Sequence, residues 1–266
     1  MDLGIRGRAC IVTGASSGIG LATTQMLVAE GAGVLMVARS AERLHAAAET
    51  AGAGTTGQVA TLAVDVTAAD APERIAQACA AQFGAADVLV NNAGTTFARV
   101  PEELTDEDWN GLWELHVMAS RRLMLRVVPE MVERGWGRIV NVASSAGKRP
   151  SLNNMAYSVT KAAQLSLSRA FADRYASRGV LVNAVAPGPV SAPLWVAPGG
   201  MADQLAAMQH VSREEALQRQ AAKVPLGRFA EPEEIAPAVV FLCSEQASTV
   251  TGAAWSVDGG AVAVII

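Results

Sequence analysis

The chain has 266 residues, of which 51% are apolar and 17% are charged. A chain of this length can bury a sizeable core, and its composition excludes a long disordered stretch. The net charge is −4 and no basic stripe is present, which argues against a nucleic-acid-binding surface.

The cysteines and the first residues bear on the cellular location. Cys10, Cys79 and Cys243 are far apart and offer neither metal-ligand spacing nor a paired disulfide framework. We therefore predict no metal site and a reducing compartment. Residues 1–8 lack the apolar stretch of a signal peptide, and no apolar run approaches the roughly 18 residues of a membrane-spanning helix. We expect a cytoplasmic protein that does not contact a membrane.

Short β-branched runs alternate along the chain with longer alanine-rich segments. Apolar strands separated by helix-length segments predict βαβ units, and therefore an α/β fold whose parallel sheet is covered by helices on both faces. The runs predict about seven strands, at 9–12, 34–37, 60–64, 88–90, 138–142, 180–185 and 254–257.

A glycine-rich segment follows the first predicted strand and opens a helix. Its three glycines have the spacing G-x-x-x-G-x-G. Glycine permits a tight turn and the close approach of a pyrophosphate, and the helix N-terminus supplies unpaired N–H groups to phosphate oxygens. The segment therefore predicts a nucleotide-binding loop made of Gly14, Ser16, Ser17, Gly18, Ile19 and Gly20.

The end of the second predicted strand bears on the choice of cofactor. A site for NAD places an acidic residue there to bind the ribose 2′-hydroxyl group, but no acid lies between Glu30 and Glu42. Arg39 stands at this position instead and could bind a 2′-phosphate. We therefore favour NADP(H) over NAD(H), with a solvated arginine as the alternative interpretation of Arg39.

Two longer segments lack a strand pattern. One long helix is expected from about Asp108, with Thr105 as its candidate N-cap and with Trp113 in the core. Residues 193–224 mix polar side chains with apolar ones such as Trp195. A stretch of this length inside a compact domain is often a lid over a functional site, and a surface helical hairpin is the alternative.

Tyr157 and Lys161 are the candidate acid and base. Residues at i and i+4 lie on the same face of a helix, so the ammonium group is expected beside the phenol. A neighbouring cation favours the phenolate and lowers the pKa of tyrosine from its usual value of about 10. This spacing is a weak signal alone, and the glycine segment in the same chain strengthens it.

Four elements together resemble the short-chain dehydrogenase/reductase family, in particular its members similar to 3-oxoacyl-carrier-protein reductase. They are Thr13 to Gly20, Asn91-Asn92-Ala93-Gly94, Ser144 with Tyr157 and Lys161, and Pro187-Gly188. The likeness covers nearly the whole chain. It implies a single Rossmann-like domain over residues 1–266, with a doubly wound sheet, and hydride transfer between a nicotinamide and a carbonyl or alcohol carbon.

The resemblance also implies roles for individual residues. Ser144 would hydrogen-bond the substrate oxygen, Tyr157 would exchange a proton with it, and Lys161 would bind the nicotinamide ribose and lower the pKa of the tyrosine. Further cofactor contacts are implied at Asp65, Val66, Asn92, Pro187 and Val190.

The chain departs from the family pattern at His116 and Ala192. His116 takes the place of an asparagine whose backbone carbonyl holds a water molecule in the proton relay behind the lysine. A histidine there either preserves this relay, titrates near neutral pH and feeds protons into the site, or packs in a helix without a catalytic role. Ala192 replaces a threonine that hydrogen-bonds the cofactor, which should weaken cofactor binding roughly fivefold.

The expected activity is that of an NADP(H)-dependent oxidoreductase acting on a largely apolar ketone or a 3-oxoacyl substrate. An NAD-dependent sugar or polyol dehydrogenase is one alternative, and a nucleotide-binding regulator without catalysis is another. The resemblance further implies a homotetramer, and a dimer remains open. No nucleic-acid partner is expected.

Overall fold

The computed structural model describes residues 1–263, which form a parallel sheet of seven strands. The strands lie in the order β3-β2-β1-β4-β5-β6-β7. The predicted fold class is confirmed, and each strand lies within two residues of its predicted bounds. They are β1 (Ala9–Thr13), β2 (Gly33–Ala38), β3 (Gln58–Ala63), β4 (Val88–Asn91), β5 (Gly137–Val142), β6 (Val180–Pro187) and β7 (Ala254–Val257).

Helices cover both faces of the sheet. In residues 1–263, none of them is long and apolar enough to cross a membrane. Their bounds are α1 (Gly18–Ala29), α2 (Ala41–Gly52), α3 (Ala71–Phe83), α4 (Asp106–Trp113), α5 (Ala119–Arg134), α6 (Met155–Tyr175), α7 (Pro193–Val196), α8 (Met201–Gln209), α9 (Arg213–Ala221) and α10 (Pro232–Leu242).

Two apolar cores lie against the two faces of the sheet. Side chains alternate along β1, so Cys10 and Val12 join the core beneath α1, α2 and α10, whereas Ile11 joins the core beneath α3, α5 and α6. Because helices cover both faces, every residue of β1 is buried, which explains the continuous apolar run in the sequence.

The long helix expected from Asp108 is interrupted. It begins at Asp106, where Thr105 and Asp108 form a capping box, so the N-cap prediction is confirmed. A π-helical segment, Glu114–Met118, separates α4 from α5 and contains His116. Such segments are rare and occur frequently at functional sites. The prediction of a buried Trp113 is wrong: this residue, the last of α4, is 41% exposed.

Candidate active site

A cleft of about 1040 Å³ opens at the carboxyl edge of the sheet. This edge lies at the switch point between β1 and β4, where doubly wound folds bind their ligands. Of the predicted site residues, Gly20 and His116 are not in the lining. The predicted residues that line the cleft are Gly14, Ser16, Ser17, Gly18, Ile19, Arg39, Asp65, Val66, Asn92, Ser144, Tyr157, Lys161, Pro187 and Val190.

The glycine loop depends on the absence of side chains. Gly14 and Gly18 have φ values of 66° and 55°, in the left-handed region that favours glycine. A Cβ atom on Gly20 would lie 2.4 Å from the carbonyl oxygen of Gly14. Gly20 therefore shapes the loop by packing against it and does not form the cleft wall.

Asn92 fixes the glycine loop to the end of β4. Its Nδ2 atom donates to the carbonyl oxygens of Thr13 at 2.9 Å and Gly14 at 3.2 Å. The Thr13 hydroxyl accepts from the backbone N–H groups of Asn92 and Ala93, both at 3.0 Å. Asn91 instead donates to Asn141 inside the protein at 2.8 Å. Asn92 therefore holds the loop in shape, and Asn91 has a structural role.

The loop and the first turn of α1 fit a dinucleotide. Ser17, the N-cap of α1, makes no side-chain cap, so the N–H groups of the first turn are available at the positive end of the helix. Ala192 packs over the loop, because a Cβ atom on Gly18 would lie 3.1 Å from the Ala192 Cβ. These features suit a pyrophosphate at the helix N-terminus.

Two arginines line the cleft near Asp65. Arg39 follows β2, and Arg43 lies in the first turn of α2. The pKa of Asp65 is lowered, chiefly by a hydrogen bond from the backbone of Thr67 and also by the positive charge of Arg39. The sequence-based prediction missed Arg43, which reaches the cleft because α2 begins at Ala41, just after Arg39.

Ser144 reaches the site through a tight turn. It follows β5 and caps the short 3-10 turn Ser145–Gly147, accepting a hydrogen bond from the Ala146 N–H at 3.1 Å. A Cβ atom on Gly147 would lie 2.8 Å from the backbone carbon of Lys161. The turn can therefore pack directly on α6, which brings the Ser144 hydroxyl into hydrogen-bond contact with Tyr157.

Tyr157 and Lys161 lie on one face of α6, as predicted. The Lys161 Nζ atom is 5.7 Å from the centre of the tyrosine ring and donates to the carbonyl oxygen of Val142 at 2.9 Å. Part of the tyrosine faces the cleft, yet the surrounding protein raises the pKa of Tyr157, and the hydrogen bond with Ser144 lowers it. Burial lowers the pKa of Lys161 to about 7.

The expected lowering of the Tyr157 pKa by Lys161 is not confirmed, because burial of the phenol dominates. The Lys161 ammonium group donates to the Val142 carbonyl oxygen and to Gln164 Oε1, and neither acceptor is the phenol oxygen. In this arrangement Lys161 is poised to exchange a proton near neutral pH, since its own pKa lies there.

His116 is a buried, neutral residue behind the site. Its Nε2 atom accepts from the Thr95 N–H at 3.3 Å, so the ring proton is on Nδ1, which is 2.9 Å from the Thr160 hydroxyl. The ring contacts Tyr157 edge to face, with the centres 5.4 Å apart. Burial holds the pKa of His116 well below its usual range, and the charge of Lys161 adds to this effect. The alternative in which His116 titrates near neutral pH is therefore wrong.

Residues 193–224 form α7, α8 and α9 and contribute one wall of the cleft. Trp195 packs edge to face on Phe229, with the ring centres 5.0 Å apart. The Gln204 side chain accepts a hydrogen bond from the Ala98 N–H at 2.7 Å, which joins α8 to the loop after β4. Leu194, Trp195, Met201 and Leu205 line the cleft and make this part of the wall apolar, whereas Gln220 and Lys223 of the same segment add polar groups to the lining.

Known proteins share this architecture over almost the entire chain. Residues 8–198 match the short chain dehydrogenase family. The chain is 35% identical over 258 residues to the 3-oxoacyl-[acyl-carrier-protein] reductase FabG of Thermotoga maritima, covering 97% of this chain and 99% of the relative. It is 38% identical over 260 residues to the cis-4-hydroxycyclohexanecarboxylate dehydrogenase of Sinomonas cyclohexanicum, covering 97% of each.

A solved structure gives a similar result. The L-sorbose reductase of Gluconobacter frateurii, in complex with NADPH and L-sorbose, has a TM-score of 0.92 and 39% identity over 100% of both chains. The fold, the cleft and these matches define an oxidoreductase that acts on carbonyl or hydroxyl groups with a nicotinamide cofactor. The chain belongs to the short chain dehydrogenase family, and within it resembles the 3-oxoacyl-carrier-protein reductases.

Proposed function

We propose that this protein is an NADP(H)-dependent reductase of ketones with a largely apolar body, including 3-oxoacyl compounds. The observation that carries the proposal is the position of the apolar wall formed by Leu194, Trp195, Met201 and Leu205. This wall lines the same cleft as Ser144, Tyr157 and Lys161, so an apolar substrate body can pack beside the proton-donating groups.

Ser144, Tyr157 and Lys161 have different roles in proton transfer. Ser144, held by the turn after β5, orients the substrate oxygen by a hydrogen bond. Tyr157 gives that oxygen a proton during reduction and takes it back during oxidation. Lys161 is buried next to the tyrosine and replenishes its proton, since its pKa of about 7 permits both protonation states near neutrality. The nicotinamide, when bound, supplies or accepts the hydride.

NADP(H) is the proposed cofactor because two guanidinium groups, those of Arg39 and Arg43, face the cleft at the end of β2. Guanidinium groups bind phosphate by paired, charge-assisted hydrogen bonds. Glu42, the acid nearest to Arg39 in the sequence, is not among the residues of the cleft wall. We assign the 2′-phosphate of NADP(H) to this pair, while Asp65 and Val66 meet the adenine, and Pro187 and Val190 meet the nicotinamide.

Residues 193–224 act in this proposal as a lid. The Gln204 side chain anchors α8 to the backbone of Ala98 at 2.7 Å, so the segment rests on the loop after β4 and not only on its own helices. An apolar segment that closes over the cleft excludes water from the reacting groups.

A second candidate is a reductase of sugars or polyols. The likeness to the L-sorbose reductase of Gluconobacter frateurii over the full length of both chains favours it. The loop after β5 also supplies polar groups to the cleft, among them Arg149, Asn153 and Asn154, which could hydrogen-bond substrate hydroxyl groups. This candidate shares the chemistry of Ser144, Tyr157 and Lys161 and differs in the body of the substrate.

A homotetramer is the proposed assembly. Trp113, Leu125, Met155 and Val159 are each between 38% and 42% exposed, and they lie on α4, α5 and α6. An apolar surface on these helices suits the pairing of subunits through the long helices. A measured molar mass in solution separates the tetramer from a dimer.

Consumption of NADPH and of NADH over a panel of ketones tests the proposal. The panel contains cyclic and aromatic ketones, 3-oxoacyl thioesters and ketose sugars, with the matching alcohols for the reverse reaction. We expect saturation with the apolar ketones or 3-oxoacyl thioesters and with NADPH. Saturation by ketoses alone would establish the second candidate, and cofactor binding without any turnover would contradict both.

A further inference from the structure

A row of buried polar side chains joins α6 to the π-helical segment and α5. On α6 they are Thr160, Gln164 and Ser168, each one helical turn after the last. Facing them are His116 and Ser120, also one turn apart. All five are less than a tenth exposed. Burying polar groups between helices is costly unless each one is hydrogen-bonded, so these contacts require a reason.

Gln164, in the middle of this row, forms a hydrogen bond with Lys161 of the site. The Lys161 Nζ atom donates to Gln164 Oε1 at 3.0 Å, and Gln164 Nε2 donates to the Ser120 hydroxyl at 3.2 Å. An ammonium group only donates, so the amide oxygen of Gln164 must face Lys161 and the amide nitrogen must face Ser120. Both ends of the amide are thus determined by their partners.

We propose that Gln164 is a positioning residue of this active site. Its side chain is fixed by Ser120 and holds the Lys161 ammonium group near the ring of Tyr157. The proposal rests on the proposed function of Tyr157 and Lys161 in proton transfer. In residues 1–263, two of the three ammonium hydrogens have acceptors, the Val142 carbonyl oxygen and Gln164 Oε1. The third is available to the cleft, which Lys161 lines.

The energetics favour a specific role for this contact. A leucine at position 164 could fill the space between the helices without burying an amide group. The amide instead accepts a hydrogen bond from a charged donor, and such bonds contribute more than neutral ones. Gln164 thus favours the protonated form of a lysine whose pKa is lowered by burial.

The surroundings of Lys161 contain few other titratable groups. Tyr157 faces it from α6 and His116 from the π-helical segment. Strand β5 contributes the carbonyl oxygen of Val142, and α5 acts only through Ser120. The hydrogen-bond acceptors of Lys161 in residues 1–263 are therefore a carbonyl and an amide oxygen, with no carboxylate among them.

A titration of the lysines tests the proposal without substrate. The chain contains Lys148, Lys161 and Lys223 as its lysines, so nuclear magnetic resonance of protein labelled with carbon-13 at lysine Cε gives few signals. Lys148→Arg and Lys223→Arg assign them. We expect Gln164→Leu to lower the titration midpoint of Lys161 by roughly one pH unit and kcat by roughly tenfold, as the loss of one charge-assisted hydrogen bond implies.

Two further variants provide a control and an alternative to Gln164→Leu. Ser168→Ala removes a buried hydroxyl one turn further along α6, which accepts from Asn141 at 2.8 Å and donates to the backbone carbonyl oxygen of Gln164 at 2.7 Å. Among the hydrogen bonds of residues 1–263, the Ser168 hydroxyl makes none to Lys161 or to the Gln164 amide group. This variant should leave both the midpoint and kcat unchanged within twofold. Ser120→Ala should move both in the same direction as Gln164→Leu, but less, and it serves if Gln164→Leu does not fold.

The outcomes separate this inference from the proposed function. If Gln164→Leu leaves the Lys161 midpoint unchanged, or lowers the midpoint while an active enzyme keeps its kcat, the inference is overturned. If the unaltered protein reduces no ketone, the proposed function fails, and the titration still decides whether Gln164 stabilises the Lys161 ammonium group.

Discussion

Helices α6 and α10 pack on opposite faces of the same sheet but bury different chemistry. All six buried residues of α10 are apolar, whereas five of the seven buried residues of α6 are polar. Apolar burial on α10 stabilises the fold directly. The polar residues of α6 are retained at a cost, and they cluster around Tyr157 and Lys161.

This difference shows where stability and chemistry reside. On α10, side chains such as Ile235 and Val239 fill the core beneath the sheet. On α6, Lys161 and Gln164 each have hydrogen-bond partners that determine their position. Substitutions on α10 should therefore change stability alone, and substitutions of Tyr157, Lys161 or Gln164 on α6 should change turnover and its pH dependence.

The largest effect is expected for Tyr157→Phe. Removing the phenol oxygen abolishes proton transfer to the substrate and should lower kcat roughly 10³-fold or more. Cofactor binding should be retained. Steady-state kinetics measures kcat, and NADPH fluorescence measures cofactor binding separately. The control is Tyr175→Phe, the other tyrosine of the chain, which packs on Phe171 at 5.6 Å. Turnover retained by Tyr157→Phe would rule out the mechanism.

On the opposite face, Ile235→Ala should lower the free energy of unfolding by about 2–5 kcal/mol. Ile235 is fully buried in α10, so the substitution leaves a cavity in the core. Urea denaturation measures the loss. The folded fraction should keep its kcat and its pH profile, and a changed profile would contradict the separation between the two faces.

Substitutions at the cofactor end of the cleft should change the KM for the cofactor, unlike the substitutions on α6 and α10. The double variant Arg39→Ala/Arg43→Ala removes both guanidinium groups that face the cleft after β2. The KM for NADPH should rise roughly 10- to 100-fold, while the KM for NADH should change little, because only the 2′-phosphate is lost as a partner. Initial rates with each cofactor measure this. Equal effects on both cofactors would refute the assignment of the arginines.

The smallest effect is expected for His116→Asn, as a change in acid stability. Burial keeps the pKa of His116 below that of the unfolded chain, so its contribution is complete above the unfolded value and is lost as pH falls below it. The Tm of the unaltered protein should therefore fall more steeply between neutral pH and pH ~5 than that of the variant. Melting curves at several pH values measure this, and the exposed His45→Asn is the control. Parallel curves for all three proteins would contradict the buried, neutral state of His116.

Much of the site was predictable because its signals are local. Inner strands such as β1 are recognisable since they are apolar on both faces, and the Asp106 end of α4 follows from a capping pattern within a few residues. The glycine loop is a continuous segment, and Tyr157 and Lys161 share a helix face by spacing alone. The cleft lining confirms that the structure brings these residues together.

The remainder depended on contacts between distant parts of the chain. The protonation of His116 and the amide contact of Gln164 arise where the π-helical segment and α5 meet α6, through pairs of residues that are 44 positions apart in the sequence. The cofactor side of the cleft likewise gained Arg43 only through the placement of α2. Periodicity and propensity describe neighbours along the chain, so the sequence determined the strands, the glycine loop and the paired Tyr157 and Lys161. Only the tertiary structure decided which charges are buried and which polar groups hold them, because burial and hydrogen-bond geometry are set by residues that meet on folding.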